Sequence, residues 1–162
     1  MDSARLTLNR RILGGVAQDC YNRRMSGNGH AGAMTSRRLR ELLEDRADQI
    51  SGDPSRLQFF YRGVQMMIVT DESVDRMRII APIRDAVPLK RDEMVRLLEA
   101  NFDTALDARY AISHNQLWAA FLHSLAALGE GEFLAALDST ANLVVRYGDS
   151  YASGDLKFTG DL

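Results

Sequence analysis

Thiols are almost missing from the 162 residues. Cys20 is the only cysteine, so no disulfide can close within the chain, and a reducing, cytoplasmic setting is expected. Long apolar runs are missing as well. The greasiest stretch, LWAAFLHSLAAL (Leu117–Leu128), is broken by His123 and Ser124. It falls short of the roughly 18 uninterrupted apolar residues of a bilayer span, so no membrane partner is expected. The opening residues ARLTLNRRILGG are cut by arginines too early to form the apolar core of a secretion signal. Metal-ligand spacing is absent too. His30, His114 and His123 belong to no HxxxH or CxxC pattern, and no metal or cofactor is expected. GNGHAG has neither the lysine nor the hydroxyl of a phosphate loop. GDSYASG is not the G-x-S-x-G of a nucleophile elbow, and Cys20 has no neighbouring base. With no set of nucleophile, base and oxyanion donor to assemble, no catalytic residue is expected.

What is present is globular: 46% hydrophobic and 26% charged residues, in a chain of one-domain length. The charge is unevenly spread. Residues 1–40 hold eight arginines against Asp2 and Asp19, a balance of +6, which leaves −8 for the remainder of a chain whose total is −2. Five of the twelve glycines fall in residues 1–33, and RMSGNGHAGAM (Arg24–Met34) has no apolar period, which leaves a short helix around Leu6–Val16 as the one candidate element before it. Residues 1–33 therefore read as a flexible basic arm, and residues 34–162 as a single α+β domain. The arm can meet nucleic acid or another acidic partner, fold back on the acidic body, or stay solvated.

Order begins at TSRRLRELLEDRADQI, where Thr35 or Ser36 can cap a helix and Leu39, Leu42, Leu43 and Ile50 fall near one stripe. SGDPS (Ser51–Ser55) then stops it with turn residues. Leu57–Tyr61 and Val64–Thr70 are rich in β-branched and aromatic residues and flank Arg62-Gly63, a two-residue hairpin turn. DESVD makes a second turn before the strand RMRIIAPIR. From Pro88 to Leu106 the pattern predicts a helix with Met94, Leu97, Leu98, Asn101, Phe102 and Ala105 on one face. ARYAI and LWAAFL are two further strands joined by SHNQ, and a last helix spans Glu130–Tyr147 until Gly148 stops it. The expected order is α-β-β-β-α-β-β-α, a mostly antiparallel five-stranded sheet with helices packed on it.

In DRMRIIAPI, alternation places Arg76 and Arg78 on one face with Ile80, and Met77, Ile79, Ala81 and Ile83 on the other, against the helices. The arginines are either the wet side of a strand or a candidate anion or carboxylate contact, since guanidinium forks suit planar acceptors. QFFY, QMMIV and LWAAFL look apolar on both faces. A second covering layer, from the last helix or another subunit, is therefore expected. Trp118 reads equally as an interface ring or a core ring, and His123 as a hydrogen-bonded structural residue.

The words FYRGVQMMIVTDESVDRMRIIAPI, LLEANFDTALDARYAI and LWAAFLHSL, with the terminal YASGDLKF, resemble the YbjN-like family of bacterial proteins, often labelled sensory transduction regulators. The resemblance runs over about Ser55–Gly160, and that family is similar in fold to the Tir-type chaperones of type III secretion. It implies a chaperone-like, dimeric, non-enzymatic binding domain whose partner is a protein or peptide. Carried onto this chain, the dimer or partner-binding positions are Met94, Leu97, Leu98 and Phe102, with Tyr110, Trp118 and Phe121 on the neighbouring strands. The expected function is to hold an apolar segment of a protein partner as a homodimer. The alternative is a regulator that uses its arginine-rich arm on nucleic acid or another acidic partner.

Overall fold

The apolar stripe of the first helix decides where the body starts. In the computed structural model, which describes residues 32–87 and 89–154, helix α1 (Ser36–Glu44) is capped by the Thr35 hydroxyl. That hydroxyl accepts from the Arg38 N–H at 3.1 Å. Leu39, Leu42 and Leu43 are buried beneath it, and Ser36 ties its first turn to the sheet. The Ser36 N–H and Oγ donate to Glu72 Oε1 at 2.9 and 2.7 Å, and Oγ also meets Thr70 Oγ1 at 2.7 Å. Those bonds hold the Glu72 carboxyl below its usual range. The body is a unit from Ala33 onward. Apart from its last two residues, the expected arm lies outside the described residues, as do Cys20, His30 and residues 155–162.

Six strands follow, one more than the sequence pattern predicts: β1 (Asp48–Asp53), β2 (Arg56–Tyr61), β3 (Val64–Asp71), β4 (Arg76–Asp85), β5 (Arg109–Ser113) and β6 (Gln116–His123). The order across the sheet is β1-β2-β3-β4-β6-β5, and every pairing is antiparallel. The hairpin turns obey the chemistry of their sequences. Arg62 and Gly63 both have positive φ (51° and 77°), as do His114 and Asn115 (49° and 60°), the geometry that lets a two-residue loop follow the sheet twist. Between β3 and β4 a 3₁₀ turn (Glu72–Val74) is capped by Asp71, which accepts from the Ser73 N–H at 3.0 Å.

β1 corrects the first helix reading. The helix ends at Glu44, and the DQISGD segment, with only Ile50 half-buried, runs as an edge strand. It is pinned from outside by Arg40 Nη1 donating to the Gly52 carbonyl at 3.1 Å. The second helix, α2 (Arg91–Asp103), is shorter than the predicted span to Leu106. The third, α3 (Glu130–Val145), begins with Glu132 Oε2 accepting from the Gly129 N–H at 2.9 Å.

Strand alternation sorts the sheet into two different faces. Leu57, Phe59, Met66, Ile68, Met77, Ile79, Ala81, Tyr110, Leu117, Ala119 and Phe121 all turn inward and are buried. Against them packs α3, through Phe133, Leu137 and Leu143. The other face carries Arg56, Gln58, Gln65, Met67, Val69, Arg76, Arg78, Ile80, Trp118 and Leu122, partly wet and partly greasy. LWAAFL is apolar on both faces, with Trp118, Ala120 and Leu122 outward, while QFFY and QMMIV also place Gln58 and Gln65 on the outer face. The last helix covers the inner face, not the second one, and among the described residues no helix lies over the outer face.

Tyr110 joins the layers. Its hydroxyl donates to the Leu143 carbonyl at 3.0 Å, and its ring meets Tyr147 and Tyr151 at 6.4 and 6.1 Å between centroids. Burial, then the neighbouring Tyr151 and Tyr147, push this hydroxyl far above its ordinary value of 10.0. A folded-state value above the unfolded one gives stability that is complete below pH 10 and fades as pH rises beyond it. Tyr110→Phe is thus expected to cost about 1 kcal/mol at pH 7, the worth of one lost hydrogen bond. The gap from the parent should close or reverse by pH 11. Urea melts at the two values measure this, and an unchanged gap would show that the hydroxyl is not held neutral by the fold.

Candidate functional site

The sequence of α2 contains more apolar surface than one body uses. Met94, Leu98 and Phe102 recur every four residues, with Val95 beside them, while Leu97 and Ala100 lie on the adjacent arc. Only Leu97 and Ala100 turn inward and are buried. Met94, Val95, Leu98 and Phe102 are 39, 45, 69 and 69% exposed. The predicted stripe is real, but most of it faces away from the sheet, and Ala105 lies beyond the helix end. Asp92 and Glu93 in the first turn suit the positive end of the helix, and Glu93 accepts from the Tyr147 hydroxyl, fixing α2 to the end of α3.

Beside α2 runs β5, an edge of the sheet. Its free side is partly closed by one side chain: Asn101 Oδ1 accepts from the Tyr110 N–H at 2.7 Å, and Asn101 Nδ2 donates to the Tyr110 carbonyl at 3.0 Å. The amide takes the place a neighbouring strand would occupy, which blunts the edge against open-ended pairing. Between helix and strand lies an apolar groove of about 200 Å³, lined by Met94, Leu97, Leu98, Asn101, Tyr110 and Ile112 among others. Ile112 is 52% exposed and extends the outer surface of α2 onto the sheet edge.

Of the positions singled out in the sequence, Met94, Leu97, Leu98 and Tyr110 meet in this groove, and Phe102 continues its rim along α2. The other two do not belong to it. Phe121 is 6% exposed in the core, stacked on His123, whose Nδ1 pairs with the Ser124 carbonyl at 2.8 Å. Trp118 lies half-buried on the outer sheet face, opposite Ala111 and Pro82, with Nε1 donating to the Ser113 carbonyl at 3.2 Å. Sequence reasoning missed Val95, while Ile112 falls within the word RYAI that the resemblance carries over. Ile112 was legible from its two-residue spacing to Tyr110, once β5 is known to be an edge.

Arg76 and Arg78 lie on the outer face, as alternation predicts. The register adds a third member that spacing alone does not show. Arg56 is opposite Val69, Val69 is opposite Arg78, and Arg78 is opposite Leu122.

Chemistry of the acid–base or metal kind has less to stand on. Ser113 Oγ meets His114 Nδ1 at 2.9 Å, yet both are exposed at a hairpin tip, and no carboxylate among the described residues orients that ring. Among the described residues no group of three or more His, Cys, Asp or Glu is placed to hold a metal ion, and no helix is long and apolar enough to cross a membrane. No protein-family model matches the chain, and no curated protein sequence matches it at a significant level.

Proposed function

We propose that this protein is a non-enzymatic binding module that pairs as a homodimer through α2 and β5 and holds an apolar segment of a protein partner. One observation carries the reading: the contiguous exposed surface of Met94, Val95, Leu98, Phe102 and Ile112. Single greasy residues on a surface need no explanation, but a cluster along one helix and the adjoining edge does. The isolated body leaves a large part of these side chains in water, which makes the surface available for contact. A twofold pair is the commonest way to cover such a patch, because each copy presents the same surface to the other. The Asn101 amide on Tyr110 favours helix-face packing over strand addition at that point. The YbjN-like resemblance supports the same surface and the chaperone-like role, with Leu98 and Phe102 at its centre. Light scattering on the full chain is expected to give about twice the 18.1 kDa of one copy. A single-copy mass at millimolar concentration would sink the dimer.

A further inference from the structure

Among the described residues, three guanidiniums share one corner of the outer sheet face with no carboxylate ion-paired to them. Arg56 and Arg78 flank Val69 across three strands, and Arg76 stands two residues before Arg78. The ion pairs among the described residues involve Arg37, Arg38, Arg40 and Arg62, none of these three. Two carboxylates are in register with them: Asp53 opposite Arg56 and Asp71 opposite Arg76. Each is held through one oxygen by a neighbouring serine and forms no ion pair with the arginine opposite. Asp53 Oδ1 accepts from the N–H and hydroxyl of Ser55, and Asp71 Oδ1 from those of Ser73. Arg76 Nη1 donates to Ser124 Oγ at 2.8 Å, which aims it along the face. Residues 34–162 carry a net −5, the −8 of residues 41–162 plus the +3 of Arg37, Arg38 and Arg40, so a basic corner runs against the sign of its own body.

Between the arginines the floor is aliphatic. Val69, Met67 and Ile80 are half-buried, and Leu122 is 64% exposed. Arg76 and Arg78 repeat at roughly 6.7 Å, the distance between alternate residues of an extended chain, and Arg56 and Arg78 are about 9.6 Å apart across the strands. Guanidinium forks bind carboxylates through two parallel hydrogen bonds. We propose that this corner binds an extended polypeptide segment with a carboxylate at every second position. Those side chains share one face of the segment, so they meet Arg76, Arg78 and Arg56, and their methylenes lie over Val69, Ile80 and Leu122. Single-stranded nucleic acid fits it less well, since such platforms stack bases on exposed rings and this floor has none between the arginines.

The site is separate from the α2 surface, and its test can fail independently. A fluorescein-labelled eight-residue peptide of alternating aspartate and leucine is titrated with the full chain and followed by anisotropy. Arg56→Glu with Arg78→Glu is expected to weaken binding at least about tenfold, and added salt to weaken the parent. Arg56→Gln with Arg78→Gln carries the comparison if the reversal perturbs folding. An asparagine–leucine peptide should bind at least about tenfold more weakly. Leu98→Asp with Phe102→Asp should bind the acidic peptide as the parent does. No binding by the parent at millimolar concentration overturns the proposal. So does binding that ignores the arginine changes, which would place the contact on the basic first 33 residues. Tighter, arginine-dependent binding of an eight-nucleotide oligothymidine also overturns it, in favour of nucleic acid.

Discussion

Leu98→Asp combined with Phe102→Asp is expected to leave a folded monomer in place of the proposed dimer. Both side chains are 69% exposed in the single copy, so charging them removes little that the isolated fold uses. Surface substitutions of this kind change stability by about 0.5 kcal/mol, with a similar amount for aspartate within a helix. In a twofold interface each position counts twice. Fully burying a leucine or phenylalanine side chain is worth roughly 1.5–3 kcal/mol, and about two thirds of each remains to be buried, so the pair of changes withdraws on the order of 4 kcal/mol from association. That corresponds to a weakening of about 10³-fold before the cost of desolvating the new carboxylates is added. Sedimentation and a thermal melt, run on the same sample, read the two consequences separately. Loss of the dimer with an unchanged single-copy fold supports the α2 surface as the interface. A dimer that survives both charges would move the interface to another part of the molecule. Unfolding of the variant would mean that Leu98 or Phe102 supports the body in a way their exposure contradicts.

The exposed stripe also marks the limit of what the sequence discloses. Helical spacing identifies Met94, Leu98 and Phe102 as one face, but spacing cannot say whether that face meets the sheet or the solvent. The choice is made by Leu97 and Ala100, on the adjacent arc, which seat α2 against β5. The hairpins were readable because their chemistry is local: Arg62-Gly63 and His114-Asn115 supply the positive φ that their turns demand. The inward set on β4 was readable because burial there alternates strictly from Arg76 to Ala81. The outer face was not. Met67, Val69 and Ile80 look like a second core in one dimension, and only the register brings Arg56, Gln58 and Arg78 between them. The groove depends on the Asn101–Tyr110 clamp, a contact between an interior helix polar group and a main chain nine residues away, with no periodic signal. The missing strand is the clearest case. DQISGD has no alternation and reads as the end of a helix followed by turn residues, because an edge strand outside the core needs almost no apolar residues. It is held by its backbone pairing to β2 and by Arg40, neither of which leaves a mark in composition.

That strand makes Gly52 the position with the largest expected single-residue effect outside the core. Its φ of +96° is one that residues with a Cβ rarely adopt, and a Cβ built there would lie 2.2 Å from the Arg56 carbonyl oxygen. Gly63 provides the internal control. Its φ is +77°, but no atom lies within 4 Å of the added carbon. Gly63→Ala should therefore cost only the conformational strain, about 1 kcal/mol. Gly52→Ala carries the same strain and a collision with main chain that no side-chain rotation relieves. We expect a loss of at least about 3 kcal/mol, or the release of β1 from β2 in its place. Hydrogen exchange distinguishes the two forms of damage. If β1 peels away, amides of Ser51–Asp53 and their partners Arg56–Gln58 lose protection, while the β3–β4–β6 ladder keeps it, since β1 contributes no fully buried side chain. If the edge holds, protection falls across the whole sheet as global stability drops. Equal behaviour of Gly52→Ala and Gly63→Ala would show that the segment is not paired as a strand. The sheet would then end at β2, as the residue pattern alone suggests.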